Sequence, residues 1–371
     1  MKRFIASLTI FQALLIALHL AVYRTFEAAF GAAPAPWDFV FMWCFVALSF
    51  TFVSASVASR RSRNPIVAAY YAFAAYWFGL ISFLFVGAVG FFIVVRILYP
   101  QNIYIAPDVI GGVIFGAAIV AWLYSVWQGG RAEAVDIAVT LPGLPESWHG
   151  RKVVFISDVH LGQVRGIRFA AKVAKKIREM SPYALFIGGD LFDGPACDEM
   201  AVIAPLAKLA GELPGGAWFV TGNHEYILAE PDRAIRAVRE AGIRILANEK
   251  ADIDGICLIG VDDRNTHVAG SLHAVLSSIP IDPARPSILL KHVPSDVDVA
   301  AEHGISLELC GHTHNGQIFP FQWIVRRLFR GYGYGLHAYG STHIYTSSGV
   351  GTWGPPIRFG TRSEVVRIEF L

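Results

Sequence analysis

Four stretches in the first third of the chain contain no Asp, Glu, Lys or Arg: Phe4–Tyr23, Phe39–Ser59, Pro65–Val95 and Val109–Trp127. A helix needs roughly 20 apolar residues to cross about 30 Å of hydrocarbon, so this pattern predicts four membrane-spanning helices. Lys2 and Arg3 precede the first run as they would a signal peptide, but its length and the three runs after it favour a retained span. The third run has no charged or turn-rich break and predicts one long tilted helix rather than a hairpin. Gly112 and Gly116 form a small-xxx-small pair suited to close helix packing.

Beyond residue 130 the apolar positions fall into short blocks. Gln128–Arg151 has the glycines and prolines of a linker, with Val135, Ile137 and Val139 alternating as a first strand. Val153–Ser157, Tyr183–Ile187 and Trp218–Val220 read as buried strands. Between and after them come helical stretches: Phe169, Val173 and Ile177 at helical spacing, then Glu199–Leu209 and Asp232–Ala241. Cys257–Gly260, Ser287–Leu290, Ser306–Leu309, His343–Ser347 and Val365–Phe370 add further strands. The early part suggests βαβ units and the C-terminal part is more purely β. The organisation expected is a transmembrane anchor over 1–130, a linker and first strand over 131–150, and an α/β domain over 151–371.

Charge sharpens this division. Residues 1–130 hold 7 of the 31 Lys/Arg and 3 of the 29 Asp/Glu, and the remainder is close to neutral. A net charge of +2 gives no reason to expect nucleic-acid binding. Lys2, Arg3, Arg60, Arg61, Arg63 and Arg131 fall on one side of the four runs, whereas the loops Glu27–Asp38 and Tyr99–Asp108 lack Lys and Arg. Arg24 and Arg96 lie at the opposite ends. The positive-inside rule then predicts a multi-pass inner-membrane protein with residues 131–371 in the cytoplasm. The spans contain no acidic residue, which argues for an anchor rather than a transport path. Cysteines 44, 197, 257 and 310 show no paired spacing, so a disulfide framework is not expected.

The chemistry lies in five clusters, each placed where an apolar run stops: Asp158-Val159-His160, Gly189-Asp190, Gly222-Asn223-His224-Glu225, His292 and Gly311-His312-Thr313-His314. This is where an α/β sheet presents side chains at the carboxyl ends of its strands. Seven of these residues, Asp158, His160, Asp190, Asn223, His292, His312 and His314, are candidate ligands suited to two divalent cations such as Mn, Fe, Zn or Co. Two ions about 3.5–4 Å apart repel, so an anionic side chain should bridge them, and Asp190 between its glycine turns is the candidate. Asp158 and His160 are expected to share a side as positions i and i+2 of an extended segment, and likewise His312 and His314. Asn223 would limit the negative charge so that a phosphate can enter. A hydroxide held between the ions would attack phosphorus in line. His224 suits stabilisation of phosphoryl oxygens or protonation of the leaving group, and Asp193 suits orientation of a ligand from behind. Asp-x-His, Gly-Asp and a lone His292 are weak signals by themselves, whereas Gly-Asn-His-Glu and Gly-His-Thr-His are individually suggestive. The other histidines, at 19, 149, 267, 273, 303, 337 and 343, lack this context.

These clusters resemble the pattern of the calcineurin-like metallophosphoesterase superfamily, which runs D-x-H, G-D-x-x-D, G-N-H-E, H, G-H-x-H. The resemblance covers about Arg151 to Leu371 and fills every ligand position. It implies a four-layer α/β/β/α sandwich. It also implies one ion on Asp158, His160, Asp190 and His314, a second on Asp190, Asn223, His292 and His312, and a catalytic role for His224. Gly311–Gln317, Ser347–Pro356 and Ile357-Arg358-Phe359-Gly360 look like a bacterial membrane-associated branch that includes phosphodiesterases similar to UDP-diacylglucosamine pyrophosphatases. That branch commonly has Gly where this chain has Asn315.

Ile318–Arg330 joins aromatic and apolar residues to arginines, a composition that suits a membrane-interface cap with Trp323, Arg326, Arg327 and Arg330 as candidate substrate-binding residues, the alternative being aromatics that fill a core and arginines that are solvated. Gly331–Gly335 reads as a flexible loop. The function expected is a membrane-anchored, two-metal phosphodiesterase or pyrophosphatase acting on a lipid-linked or nucleotide-linked phosphate. The alternatives are a phosphomonoesterase of phosphoproteins or nucleotides, and a non-catalytic metal-binding signalling protein.

Overall fold

A computed structural model describes residues 2–62, 64–193, 197–227, 231–265 and 270–371; Arg63 and His267, named above, lie outside the described residues. The chain forms two units, residues 1–127 with 354–357 and residues 128–353 with 358–371.

The first unit is helical: α1 (Lys2–Phe30), α2 (Trp37–Ser49), α3 (Thr51–Ser59), α4 (Pro65–Leu98) and α5 (Pro107–Gly129). Among the described residues four helical stretches are long and apolar enough to cross a membrane, α2 and α3 together making the second. Helix α4 is one unbroken helix of 34 residues, about 51 Å at the usual rise. Asn64 caps it by accepting the Ile66 N–H at 2.8 Å, and Pro65 occupies its first turn, where a missing N–H is harmless. Val22, Ile81, Leu84, Ala88, Phe115 and Ala118 fill the interior of this unit. Among the described residues, nothing lies within 4 Å of a Cβ at Gly112 or Gly116. The close approach is at Gly111, where a Cβ would sit 2.6 Å from that of Ala29.

The second unit carries two six-stranded sheets. Its strands are β1 (Ala132–Val139), β2 (Lys152–Ile156), β3 (Ala184–Gly188), β4 (Ala217–Val220), β5 (Arg244–Ile245), β6 (Glu249–Ile253), β7 (Ile256–Gly260), β8 (Ser287–Leu290), β9 (Leu307–Cys310), β10 (Gly335–Tyr339), β11 (Thr342–Thr346) and β12 (Ser363–Phe370). The first sheet runs β1-β12-β2-β3-β4-β5 and the second β10-β11-β9-β8-β7-β6. Strands β2 to β5 are parallel, as are β7, β8, β9 and β11; β12 meets β2 antiparallel, and β6 and β10 close the edges of the second sheet antiparallel.

Residues on successive positions of these strands point to opposite faces, and both faces are covered. Val154, Ile156, Leu185, Ile187 and Phe219 pack outward with the helices α6 (Ile167–Glu179), α7 (Glu199–Ala210) and α9 (Pro231–Glu240). Their neighbours Val153, Phe155, Phe186, Trp218 and Val220 pack inward against Leu258, Ile288, Leu290, Leu307 and Leu309 of the second sheet. Ile259 and Leu289 face the outer layer of α10 (Ser271–Ser278) and α11 (Val297–Glu302). The result is the four-layer α/β/β/α sandwich that the resemblance implied. Between Asn223 and Ile227 lies the short helix α8, and Phe321–Leu328 forms α12. The expected loop at Gly331–Gly335 is partly strand, because Gly335 opens β10 and the Gly333 carbonyl accepts from Thr313 Oγ1 at 2.7 Å.

Candidate functional site

Each candidate ligand follows the end of a strand. Asp158 and His160 lie beyond β2, Asp190 beyond β3, Asn223 beyond β4, His292 beyond β8 and His312 beyond β9. The two sheets therefore contribute to one place at the carboxyl ends of their parallel strands. Asp158, His160, Asp190 and His292 are buried.

The seven side chains converge as two groups. In one, His160 Nε2 lies 3.1 Å from His314 Nε2, and His314 Nε2 lies 3.4 Å from Asp158 Oδ1. In the other, His312 Nδ1 lies 3.0 Å from Asn223 Oδ1 and 3.3 Å from His292 Nε2. Asp190 stands between them, its Oδ2 at 3.8 Å from His160 Nε2 and 3.2 Å from His292 Nε2. These atoms gather nitrogen and oxygen lone pairs at one place. The donor set fits divalent cations of the borderline type. Among the described residues, Asp158/His160/His314, His160/Asp190/His224 and Asp158/Asp190/His292 each bring three ligand atoms close enough to hold an ion.

The backbone differs from the extended segments expected at these positions. Asp158, His160 and Asp190 have φ of 51°, 51° and 50°, and His312 and His314 have 71° and 50°. All five are left-handed, so the ligands meet through tight turns rather than by sharing one side of a strand. Non-glycine residues in this region cost on the order of 1–3 kcal/mol each and need surroundings that hold them. Glu225 is one such support. Its buried carboxylate accepts the backbone N–H groups of Asp190, Leu191, Phe192 and Gly222 at 2.7–3.3 Å. Asp158 accepts the His312 N–H at 3.0 Å and Asp190 the His224 N–H at 2.8 Å. Gly222 is required by proximity, since a Cβ there would fall on Asp190 Oδ1.

His224 is buried, and Asp193 Oδ1 lies 3.6 Å from its Nδ1 and 3.4 Å from His160 Nδ1. Asp193 thus lies within reach of both rings. The half-exposed indole of Trp353 comes within 6.4 Å of the His224 ring. Arg358, to which sequence reasoning gave no role in the site, is fully buried. It donates to the His314 carbonyl at 3.0 Å and to Gly351 O at 2.8 Å, and its Nη2 lies 3.3 Å from His314 Nδ1. The only sequence sign of it was its place in Ile357–Gly360, read as a family marker. The four candidate substrate residues do not join the cluster: Trp323, Arg326, Arg327 and Arg330 are exposed, and it is Phe329 of that segment whose ring approaches His312, at 6.2 Å.

Electrostatics follow from this crowding. Burial opposes the Asp190 charge, but His292, His224 and His160 outweigh it and hold the carboxyl far below its ordinary range. Burial likewise opposes protonation of His292, yet Asp190 wins and raises it to about 10. Burial, followed by the charge on His292, lowers His312 to about 4. His314 is lowered by burial and then by His160 and Arg358, and His224 by burial and then His160. Burial and the Asp190 charge push Glu225 up to about 7.

Residues 151–316 match the family model described as calcineurin-like phosphoesterase. The chain is 32% identical over 256 residues to a zebrafish (Danio rerio) protein named transmembrane protein with metallophosphoesterase domain, covering 64% of this chain and 56% of that one. It is 34% identical over 227 residues to an uncharacterized metallophosphoesterase of Helicobacter pylori, covering 59% and 60%. An uncharacterized metallophosphoesterase of Aquifex aeolicus is 33% identical over 224 residues, covering 58% of this chain and 83% of that protein. The match spans little more than half the length of the first two relatives.

Proposed function

Because this chain belongs to the calcineurin-like phosphoesterase family, we propose that it is a membrane-anchored phosphoesterase that uses two divalent cations to hydrolyse a phosphodiester or pyrophosphate. The observation that carries this reading is the convergence of the seven ligand side chains around Asp190. Asp158, His160, Asp190 and His314 would hold one ion, and Asp190, Asn223, His292 and His312 the other. Two such ions supply Lewis-acid activation of water and of the phosphoryl oxygens.

The remaining work falls to the protein. His224, beside His160 and Asp190, is suited to donate a hydrogen bond to a phosphoryl oxygen or a proton to the leaving oxygen. Asp193 orients His224 and His160 from behind. Arg358 fixes the turn that carries His314. The four apolar helices and the distribution of Lys and Arg support a cell-membrane location with the α/β unit in the cytoplasm. The substrate that fits an anchored enzyme is amphipathic, a lipid-linked or nucleotide-linked phosphate of the kind handled by the membrane-associated branch.

Incubating the purified, Mn-loaded full-length protein with a membrane extract, followed by mass spectrometry of lipids and nucleotides, should show loss of one phosphodiester or pyrophosphate species. Turnover of chromogenic monoesters with none of diesters would make it a phosphomonoesterase. No hydrolysis of either, with metal bound, would make it a binding protein. A carboxy-terminal reporter active only outside the cytoplasm would reverse the topology.

A further inference from the structure

Helix α12 has two unlike sides. Its inner side rests on the loop that carries His312 and His314. Gly316 meets the Phe321 backbone closely, Gly333 approaches Val325 so tightly that a Cβ there would sit 2.6 Å from its Cγ1, and Phe329 reaches the His312 ring. The outer side is apolar and uncovered: Phe321, Ile324 and Leu328 are 50%, 60% and 71% exposed. Phe319 and Trp323, edge to face at 5.2 Å, extend this surface. Arg326, Arg327 and Arg330 border it and are exposed. Eight residues with this division of apolar face and cationic rim suit the boundary between acyl chains and headgroups, where rings and branched side chains enter and guanidinium groups meet lipid phosphates.

A second observation says why the bilayer is the occupant. Gly129, the last residue of α5 and part of the α/β unit, is held through its carbonyl by Arg165 Nη2 at 2.5 Å. The same buried guanidinium donates to Thr352 Oγ1 at 2.9 Å. The next residue, Trp353, exchanges two hydrogen bonds with the Gln317 side chain at 2.9 and 3.0 Å. Gln317 lies two residues before Phe319, whose N–H donates to Phe359 O at 2.8 Å. Within the α/β unit a run of bonds thus connects Gly129, the loop beside His224, and the start of the exposed aromatic segment.

We propose that Phe319–Arg330 is a membrane-interface element: its outer apolar side enters the bilayer surface, its arginines bind anionic lipid phosphate, and the mouth of the metal site is thereby held at the depth of the headgroups. The inference deepens the reading above and rests on it for the membrane tether. It narrows the substrate class to amphiphiles whose phosphate lies in the headgroup layer.

Nitroxide labels at Leu328→Cys, and at Ile324→Cys should the first fail to fold, test this in the full-length Cys44→Ala protein. The protein is reconstituted in phosphatidylcholine vesicles with or without phosphatidylglycerol. A label at Lys175→Cys on exposed α6 serves as the reference for water. The expected result is a ratio of oxygen to nickel-chelate collision several-fold above the reference in phosphatidylglycerol vesicles, falling towards the reference when Arg326, Arg327 and Arg330 are all changed to Gln. A label as open to the nickel chelate as the reference overturns the proposal. So does a label shielded from both reagents, which would mean that a protein or a second copy covers the face. Hydrolysis of a small soluble diester on the same unsubstituted protein keeps the two readings apart, since it reports on the chemistry and the label reports on depth.

Discussion

The Glu225 carboxylate accepts the backbone N–H of Asp190 at 3.0 Å, so the candidate bridging residue is positioned from behind by a buried acid that would touch no cation. The same carboxylate accepts from Leu191, Phe192 and Gly222, tying the turn after β3 to the turn after β4. Removing it with Glu225→Ala strands several buried N–H groups. A loss of about 3 kcal/mol or more is expected from unmade bonds to a charged acceptor. Thermal unfolding of the full-length protein in detergent should show Tm lowered by roughly 10 °C. An unchanged Tm would mean that water replaces the carboxylate without penalty.

Asp190→Asn keeps the shape of the side chain and removes the charge between the two ligand groups. Hydrolysis of a chromogenic diester should fall to background, and bound metal measured by elemental analysis should drop below that of the unsubstituted protein. Undiminished hydrolysis would refute the bridging assignment.

His224→Ala separates chemistry from metal binding. The ring lies beside the ligands but stands outside both ligand groups of the proposed centre. The expected loss in kcat is about 10²- to 10⁴-fold, typical of a general acid, with metal content preserved and KM little altered. Loss of metal along with activity would instead make His224 a ligand, an arrangement its distance from His160 and Asp190 allows.

Metal loading should be linked to protons through His292. Its pKa is raised from 6.5 to about 10 by Asp190, so the stability that this pair gives the metal-free protein is fully present below pH 6.5 and is lost as pH rises through about 10. A cation must displace that proton. Apparent metal affinity should therefore climb by up to roughly tenfold per pH unit as pH rises towards about 10. Calorimetry at pH 7 in buffers of different ionisation enthalpy should detect the release of about one proton from this ring. Binding without proton release would show that His292 is neutral before the metal arrives.

Gly222→Ala tests packing alone. The added methyl would fall on Asp190 Oδ1 and 2.5 Å from the Asp190 nitrogen, in backbone that has no room to yield. Metal content and hydrolysis should both fall sharply, and raising the metal concentration should restore them only in part.

Much of the fold was legible in the sequence because burial leaves a simple trace. Val153–Ser157 and Tyr183–Ile187 are continuous apolar runs since both faces of their sheet are covered, and four charge-free stretches are long and apolar enough to cross a membrane. Elements without such a trace were missed. Strand β6 is mostly exposed at a sheet edge, with only Ile253 buried, and β5 is only two residues long. The small-residue pair Gly112 and Gly116 was legible as a motif but not as a contact, because which side of a helix meets a neighbour depends on its rotation.

The residue types of the site were determined by the sequence: Asp, Asn and His side chains can bind divalent cations, and here they stand after strand ends in an order that coincidence would rarely produce. How they meet was decided by the tertiary structure. The left-handed turns at Asp158, His160, Asp190, His312 and His314 are unfavourable in isolation and persist because Glu225, Arg358 and the neighbouring strand ends hold the backbone there. Nothing local to Arg358 announces its hold on His314, 44 residues away, and Glu225 reaches the Asp190 turn, 35 residues away, only because β3 pairs with β4. Sequence names the groups that can bind a cation, and long-range packing decides whether their lone pairs point at one another.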